Sequence, residues 1–293
     1  RGAQLVSYEA RRKEAAEEAD EEGASDGEDD DELELLTTVY RIVEELMRQH
    51  GAAVLPAIEA QVLPHVAPWL AATSEPKLLS IGLACATSLI EHSGKEAAKK
   101  YVEAVLPLLP AALDSTEPEL RETAAEGLGA VAEHGGKLLS RNAAADAARK
   151  LLQKLAAPEA RFVANVLASE AAALALGRFL LHRAPSVDAA VATPVFLGWM
   201  PLTHAAEESA RMATLTLCGL LEGDAAALLG ANGPAVLGAM ATSYEGDGIE
   251  GALSARLAAM VRQWRASDQA TLEACSASLQ PALREKVVRM ATA

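Results

Sequence analysis

Histidines, cysteines and paired carboxylates are the side chains of this sequence that could hold a metal, attack an electrophile or move a proton, and their spacing decides among these. His50, His92 and His134 recur at 42-residue intervals and His182 follows 48 residues later, each beside a turn signal: His50-Gly51, His92-Ser93-Gly94, His134-Gly135-Gly136 and His182-Arg183-Ala184-Pro185. A metal centre needs ligands that converge on one ion. Evenly spaced histidines on successive copies of a repeat stay apart instead. A histidine in the last turn of a helix, followed by a glycine in the left-handed conformation, closes that helix, because the imidazole favours its negative end and glycine carries no Cβ penalty. The pattern predicts helix caps and no metal site.

Cys85, Cys218 and Cys275 stand far apart within helical patterns, with no CxxC pair, which reads as buried thiols in a reducing, intracellular compartment. The adjacent carboxylates Glu207 and Glu208 read as a solvated helix face. Gly127-Leu128-Gly129 falls inside a helical pattern, and Gly230-Ala231-Asn232-Gly233 reads as a turn between helices; neither has the strand-loop-helix context of a phosphate cradle. GxSxG, HExxH, kinase and calcium-loop signatures are absent. No catalytic, cofactor-binding or metal-binding residue is assigned, no cofactor is expected, and the chain is expected not to be an enzyme.

Three features remain as partner-binding candidates. Glu17 to Glu32 holds eleven acidic residues and no basic one, among them Asp26, Glu28, Asp29, Asp30, Asp31 and Glu32. Such a run either draws lysine-rich partners through a field that salt screens, or serves as a solubility tail. Trp69, Trp199 and Trp264 are the largest anchors in a chain that is 3% aromatic, either interface anchors or core residues. Asn165, within an apolar helix, either reaches a bound backbone or bonds to the next repeat.

These residues must be carried by helices. The sequence is 51% hydrophobic with almost no aromatic share, so its core is built from Leu, Val and Ala. Apolar residues recur at helical spacing, as in Leu79, Leu83, Ala86 and Ile90 or Leu120, Ala124, Leu128 and Val131. Thr73-Ser74-Glu75-Pro76 returns 42 residues later as Ser115-Thr116-Glu117-Pro118, and Ala157-Pro158-Glu159 follows. Proline fits the first helical turn, so each copy is expected to begin a helix, with Ser74 or Thr116 as cap and Thr116 with Glu119 as a capping box. Val62-Leu63-Pro64 and Val105-Leu106-Pro107 mark a second helix per unit, kinked at proline.

Two helices in a period near 42 predict an all-α fold: a HEAT-repeat, right-handed superhelical solenoid. The expected organisation is a helix of a preceding repeat over 1–16, an acidic disordered loop over 17–32, and about six repeats over 33–293. No uncharged apolar run of 18 residues is present and no signal peptide is recognisable, so a soluble protein is expected. The net charge of −15 disfavours nucleic acid and anionic membrane as partners and favours basic protein segments.

Several stretches, taken in order, resemble the importin beta-3 class of karyopherins. They are Arg11-Arg12-Lys13, the acidic run, Leu36-Thr37-Thr38-Val39-Tyr40, Val54-Leu55-Pro56, Ile90-Glu91-His92 and Ala125-Glu126-Gly127-Leu128-Gly129-Ala130-Val131-Ala132-Glu133-His134-Gly135-Gly136. Further on come Asn165-Val166 with Ala168, Glu170 and Gly177, then Gly198-Trp199-Met200-Pro201-Leu202, and Arg256-Leu257-Ala258 with Val261-Arg262-Gln263. The resemblance spans essentially the whole chain. It implies a HEAT-repeat nuclear import receptor that carries basic cargo such as ribosomal proteins and histones, contacts nucleoporins, shuttles between cytoplasm and nucleus through the pore, and releases cargo to Ran-GTP. Nothing here matches the family's N-terminal Ran-gripping repeats, so Ran-GTP is expected to act on the full-length receptor and not through this portion. Ser169-Glu170-Ala171 departs from the family at a position where an inner-face asparagine is expected. The alternative class is a HEAT scaffold such as a phosphatase regulatory subunit.

Overall fold

The computed structural model of the chain describes residues 27–246, 249 and 251–292, with side chains from Leu33 onward. Fourteen α-helices and three short 3-10 turns form the described residues, with no strand among them. They fall into two compact units, divided between Val187 and Asp188.

The first unit holds α1 (Gly27–His50), α2 (Leu55–Gln61), α3 (Leu63–Val66), α4 (Pro76–His92), α5 (Lys95–Val105), α6 (Leu109–Ala112), α7 (Pro118–His134), α8 (Arg141–Leu155) and α9 (Val163–His182). Its spine is a row in which α1 packs on α4, α4 on α7 and α7 on α9, while α5 and α8 lie against α4 and α9 respectively. The histidine rule holds at every step, since α1, α4, α7 and α9 end at His50, His92, His134 and His182. Gly51 (φ 54°), Gly94 (φ 84°) and Gly136 (φ 52°) take the left-handed conformation after the first three. Between spine helices the prolines do as expected: Pro56, Pro64 and Pro68 divide residues 55–69 into two short helices and a 3-10 turn.

The caps sit one residue later than the sequence suggests. A residue before proline is driven out of the helical region, so Glu75 (ψ 137°) and Glu117 (ψ 117°) occupy the N-cap positions. The Glu75 carboxylate accepts from the amides of Lys77 (3.0 Å) and Leu78 (3.1 Å), while the Ser74 hydroxyl turns to the Pro68 carbonyl. No Thr116–Glu119 capping box forms; Arg121 donates to the carbonyls of Ser115 and Thr116 instead. The third motif copy does not start a helix either, because Ala157–Phe162 forms a turn and α9 opens at Val163.

Spine helices sit close where side chains are small. At Gly129 an added Cβ would stand 3.2 Å from Arg178 Cδ and 3.4 Å from Ala175 Cα, so α7 and α9 approach closely there and a methyl group would need its neighbours to shift slightly. α9 is buried along almost its whole length from Val166 to Leu180.

Several of the polar links between neighbouring elements join residues about one sequence period apart. They include Ser80 with Thr123 at 2.8 Å (43 residues apart), Tyr101 to Glu59 at 2.6 Å (42), Arg121 to Asn165 (44), Arg141 to the Pro185 carbonyl at 2.8 Å (44) and Arg178 to Glu133 at 2.9 Å (45). The 42-residue period of the sequence is thus matched by residues one period apart in contact.

The second unit holds α10 (Ala189–Gly198), α11 (Glu207–Ser243), α12 (Gly251–Ser267), α13 (Gln269–Ala277) and α14 (Pro281–Thr292). Asp224 breaks α11 with extended backbone (φ −152°, ψ 78°). Its carboxylate accepts from the Ala227 amide at 3.0 Å, capping the second half of the helix. Gly230-Ala231-Asn232-Gly233 is not a turn but lies inside α11. The glycine at 233 is needed for packing, since a Cβ there would stand 2.8 Å from Cys275 Sγ. The same separation recurs here: Lys286 donates to the Tyr244 carbonyl at 2.7 Å (42 residues apart) and Arg289 to Glu245 at 2.7 Å (44). By length and apolar composition α9 and α11 pass a test for crossing a membrane; α9 is mostly buried by its neighbours, and α11 is broken at Asp224.

Candidate functional site

A group of ionisable side chains lies at the C-terminal ends of α4, α7 and α9, brought together because all three helices run to the same histidine position. Arg178 on α9 is buried, its side chain 7% exposed. Its Nη1 lies 2.6 Å from Glu91 Oε1 on α4, and its Nη2 and Nε lie 2.9 and 3.2 Å from Glu133 Oε2 on α7. A charge this deep is stable only when paired, and the guanidinium fork suits two carboxylates at once. Glu91 and Glu133 each keep about 30% of their side chains exposed, so the cluster is open to solvent on its carboxylate side.

Two of the terminal histidines join it. Nε2 of His182 is 3.6 Å from Glu133 Oε2, and Nε2 of His134 is 3.9 Å from Glu133 Oε1. Burial works against the charged Glu133 carboxylate, but Arg178 and His182 outweigh it and its pKa is lowered. Burial is the main cause that lowers the pKa of both His134 and His182, against the pull of Glu133 and with the repulsion of Arg178. The imidazoles therefore tend toward the neutral form. Arg183, next in sequence, donates from Nε to the Ala132 carbonyl at 2.7 Å.

Towards α1 the carboxylates continue. Burial raises the pKa of Glu44, and Glu91 adds to the rise. Tyr40, bonded to Ser88 at 3.3 Å, is raised by burial and then by Glu44 and Glu126. Glu119, Glu122 and Glu126 share one face of α7 with Glu133 by helical spacing. Glu44, Glu91, Glu126 and Glu133 thus follow one another along α1, α4 and α7, with Arg41 and Arg178 among them.

Of the residues singled out in the sequence, Asp26 lies outside the described residues. Glu28, Asp29, Asp30, Asp31 and Glu32 were expected in a loop that ends before Leu33, but they stand within the first turns of α1, which opens at Gly27. Acidic residues near a helix N-terminus complement its positive end, which favours helix where composition alone suggests a loop. Asn165 bonds within the fold: Arg121 Nη2 donates to its Oδ1, and its Nδ2 donates to the Glu159 carbonyl at 3.1 Å. Its amide thus links α9 to Arg121 on α7 and to the turn before α9. Glu170 (3% exposed) and Trp199 (7% exposed) are buried in the core, as is Trp264 at 7%. None of these joins the Arg178 cluster, which sequence reasoning missed. The signal was present in the paired Glu91-His92 and Glu133-His134 and in the one arginine inside the apolar helix of Asn165.

All three cysteines are free and buried. Burial raises Cys85 and Cys218 to about 11, holding both as thiols. Among the described residues no group of three or more His, Cys, Asp or Glu side chains is placed to hold a metal ion. No family model matches the chain.

Proposed function

We propose that this chain is part of a HEAT-type helical-repeat array and serves as a nuclear import receptor, binding basic segments of other proteins. The observation that carries the repeat reading is the recurrence of inter-helix links 42 to 45 residues apart in the first unit, echoed in the second by links from α14 to the turn after α11, which ties the sequence period to the packing. An array of this kind grows by stacking identical units and offers long surfaces to protein partners. The carboxylates Glu44, Glu91, Glu126 and Glu133 along α1, α4 and α7, with Arg41 and Arg178 among them, support a basic ligand: ribosomal proteins or histones as cargo in the sense implied by the karyopherin resemblance. Nucleoporin contact, shuttling through the pore and release by Ran-GTP belong to the same reading of the full-length receptor.

The test is fluorescence anisotropy of the full chain against a labelled lysine-rich import-signal peptide and a composition-matched scramble, at low and physiological salt. Selective binding that survives physiological salt supports a cargo site here. Equal binding of both peptides that salt abolishes leaves only general acidic attraction and overturns the cargo reading.

A further inference from the structure

In the second unit α11 turns on itself. The extended backbone of Asp224 ends its first half, and the two halves meet again further along, where Thr214 Oγ1 donates to Ser243 Oγ at 3.4 Å. α12 packs beside them. A cleft of about 340 Å³ opens at the break. Leu221 lines it from the first half of α11, Leu229 and Met240 from the second, and Met260 and Trp264, four residues apart on one helix face, from α12. Ligand pockets run from about 300 to 1,000 Å³ and are mostly apolar with a few placed polar groups, so this cleft suits a small molecule.

Its lining restricts the chemistry of that molecule. Glu222 is the one ionisable residue lining the cleft, and Arg256 holds both of its carboxylate oxygens at 2.9 and 2.6 Å. No net charge is left to attract an ion. Trp264 and the thioethers of Met240 and Met260 favour an aromatic ring, since indole faces and sulfur both pack well against one. Trp264 is held in place because Gly233 leaves room for its benzo edge: an added Cβ there would stand 3.5 Å from Cη2. The side chain is 7% exposed, yet its indole N–H has no hydrogen-bond partner among the described residues. Nor is that nitrogen sealed in, because Thr87 Oγ1 is the one fully enclosed side-chain nitrogen or oxygen without a partner among the described residues. A buried tryptophan normally finds an acceptor for this N–H, and a bound molecule can supply one.

We propose that the cleft binds a neutral aromatic small molecule bearing one hydrogen-bond acceptor, of the aromatic ketone class, with its ring against Met240, Met260 and Trp264 and its acceptor on the Trp264 N–H. This site is separate from any surface for basic segments, to which an uncharged cleft offers nothing.

The experiment is proton–nitrogen correlation NMR of the full chain, read at the indole N–H signals of its three tryptophans, with acetophenone as the probe. The signal lost in Trp264→Phe assigns that residue. Acetophenone should move it downfield and saturably while the signals of Trp69 and Trp199 stay in place. Ethylbenzene, of similar size without the carbonyl, should bind about tenfold more weakly, the worth of one hydrogen bond. Ala225→Phe and, separately, Ser267→Phe place a ring in the cleft from exposed positions on its rim, and each should abolish the shift at an unchanged thermal midpoint. No saturable shift of the Trp264 signal up to the solubility of acetophenone overturns the proposal. So does a shift that persists in both rim variants, or equal affinity for the two probes.

Discussion

Arg178 and Glu91 are 87 residues apart in the chain, yet the guanidinium Nη1 sits 2.6 Å from the carboxylate Oε1. The contact reaches past α7 and joins three consecutive spine helices through one buried cation. Removing one partner of a buried ion pair typically costs about 3–5 kcal/mol, because the other charge is stranded. Glu91 and Glu133 remain partly open to water, so Arg178→Ala should fall near the lower end, and Arg178→Met, which fills the same volume, should cost less. Urea unfolding with a free slope checks this, and equal midpoints for wild type and Arg178→Ala would refute it.

His134 and His182 set the direction of the pH response. Both have folded-state pKa values lowered below the ordinary imidazole value, chiefly by burial. The groups facing them are Glu133, Arg178, Glu91 and His92 for His134, and Glu133, Arg178, His134 and Arg183 for His182. A folded state that binds the proton less readily than the unfolded chain is fully stable above the unfolded pKa of about 6.5 and loses stability as pH falls through it. Glu133, lowered as well, adds its own loss further down, below the ordinary carboxylate value. Thermal midpoints should therefore drop between pH 7.5 and 5.5, and His134→Gln with His182→Gln should flatten that slope by less than about 1 kcal/mol, since both rings are partly solvated. A slope that does not change in the double variant sinks the assignment.

Trp199 is a core residue, 7% exposed. Trp199→Ala should cost about 3–5 kcal/mol through the cavity it leaves. Calorimetry should show the loss, and peptide anisotropy of the folded fraction should show no matching loss of affinity. Reduced affinity at full stability would restore Trp199 as an interface anchor.

Much of the all-helical fold was legible because helix starts and ends are written locally. The period, the helix ends at His50, His92, His134 and His182 and the glycines at 51, 94 and 136 all follow from caps and short-range sterics. What was missed was in one case a neighbour's steric effect and otherwise a partner far away. Ser74 looks like a cap until Pro76 is seen to push the cap to Glu75, and Gly233 looks like a turn residue until Cys275 fills the place of its missing side chain. The same holds for the cluster: Arg178 pairs with residues one and two periods back, and an arginine within an apolar helix does not declare in sequence which repeat it will reach.

The caps give a direct contrast. Glu75 accepts from two amides at the start of α4, whereas the Ser74 hydroxyl donates to the Pro68 carbonyl at 3.4 Å, away from the helix. Glu75→Ala should therefore cost about 1 kcal/mol, and Ser74→Ala close to nothing. Denaturation midpoints in the reverse order would show that the serine, and not the residue before the proline, closes the helix.

Asn165 separates a structural from a binding role most cleanly. It accepts from Arg121 on the preceding spine helix and donates to the Glu159 carbonyl within its own turn, so both ends of the amide are used inside the fold. Asn165→Ala leaves Arg121, half-buried and already bonded to two carbonyls, without its third acceptor. A hydrogen bond to a charged donor is worth about 1.5–3 kcal/mol, reduced here because Arg121 keeps its other partners. A loss of about 1 kcal/mol is expected in urea unfolding, matched by Arg121→Ala. The double variant should cost less than the sum of the two, since they share one link. Peptide affinity in the single variants should stay at wild type. If Asn165→Ala instead weakens peptide binding and leaves stability unchanged, the amide faces the ligand and the Arg121 contact is incidental.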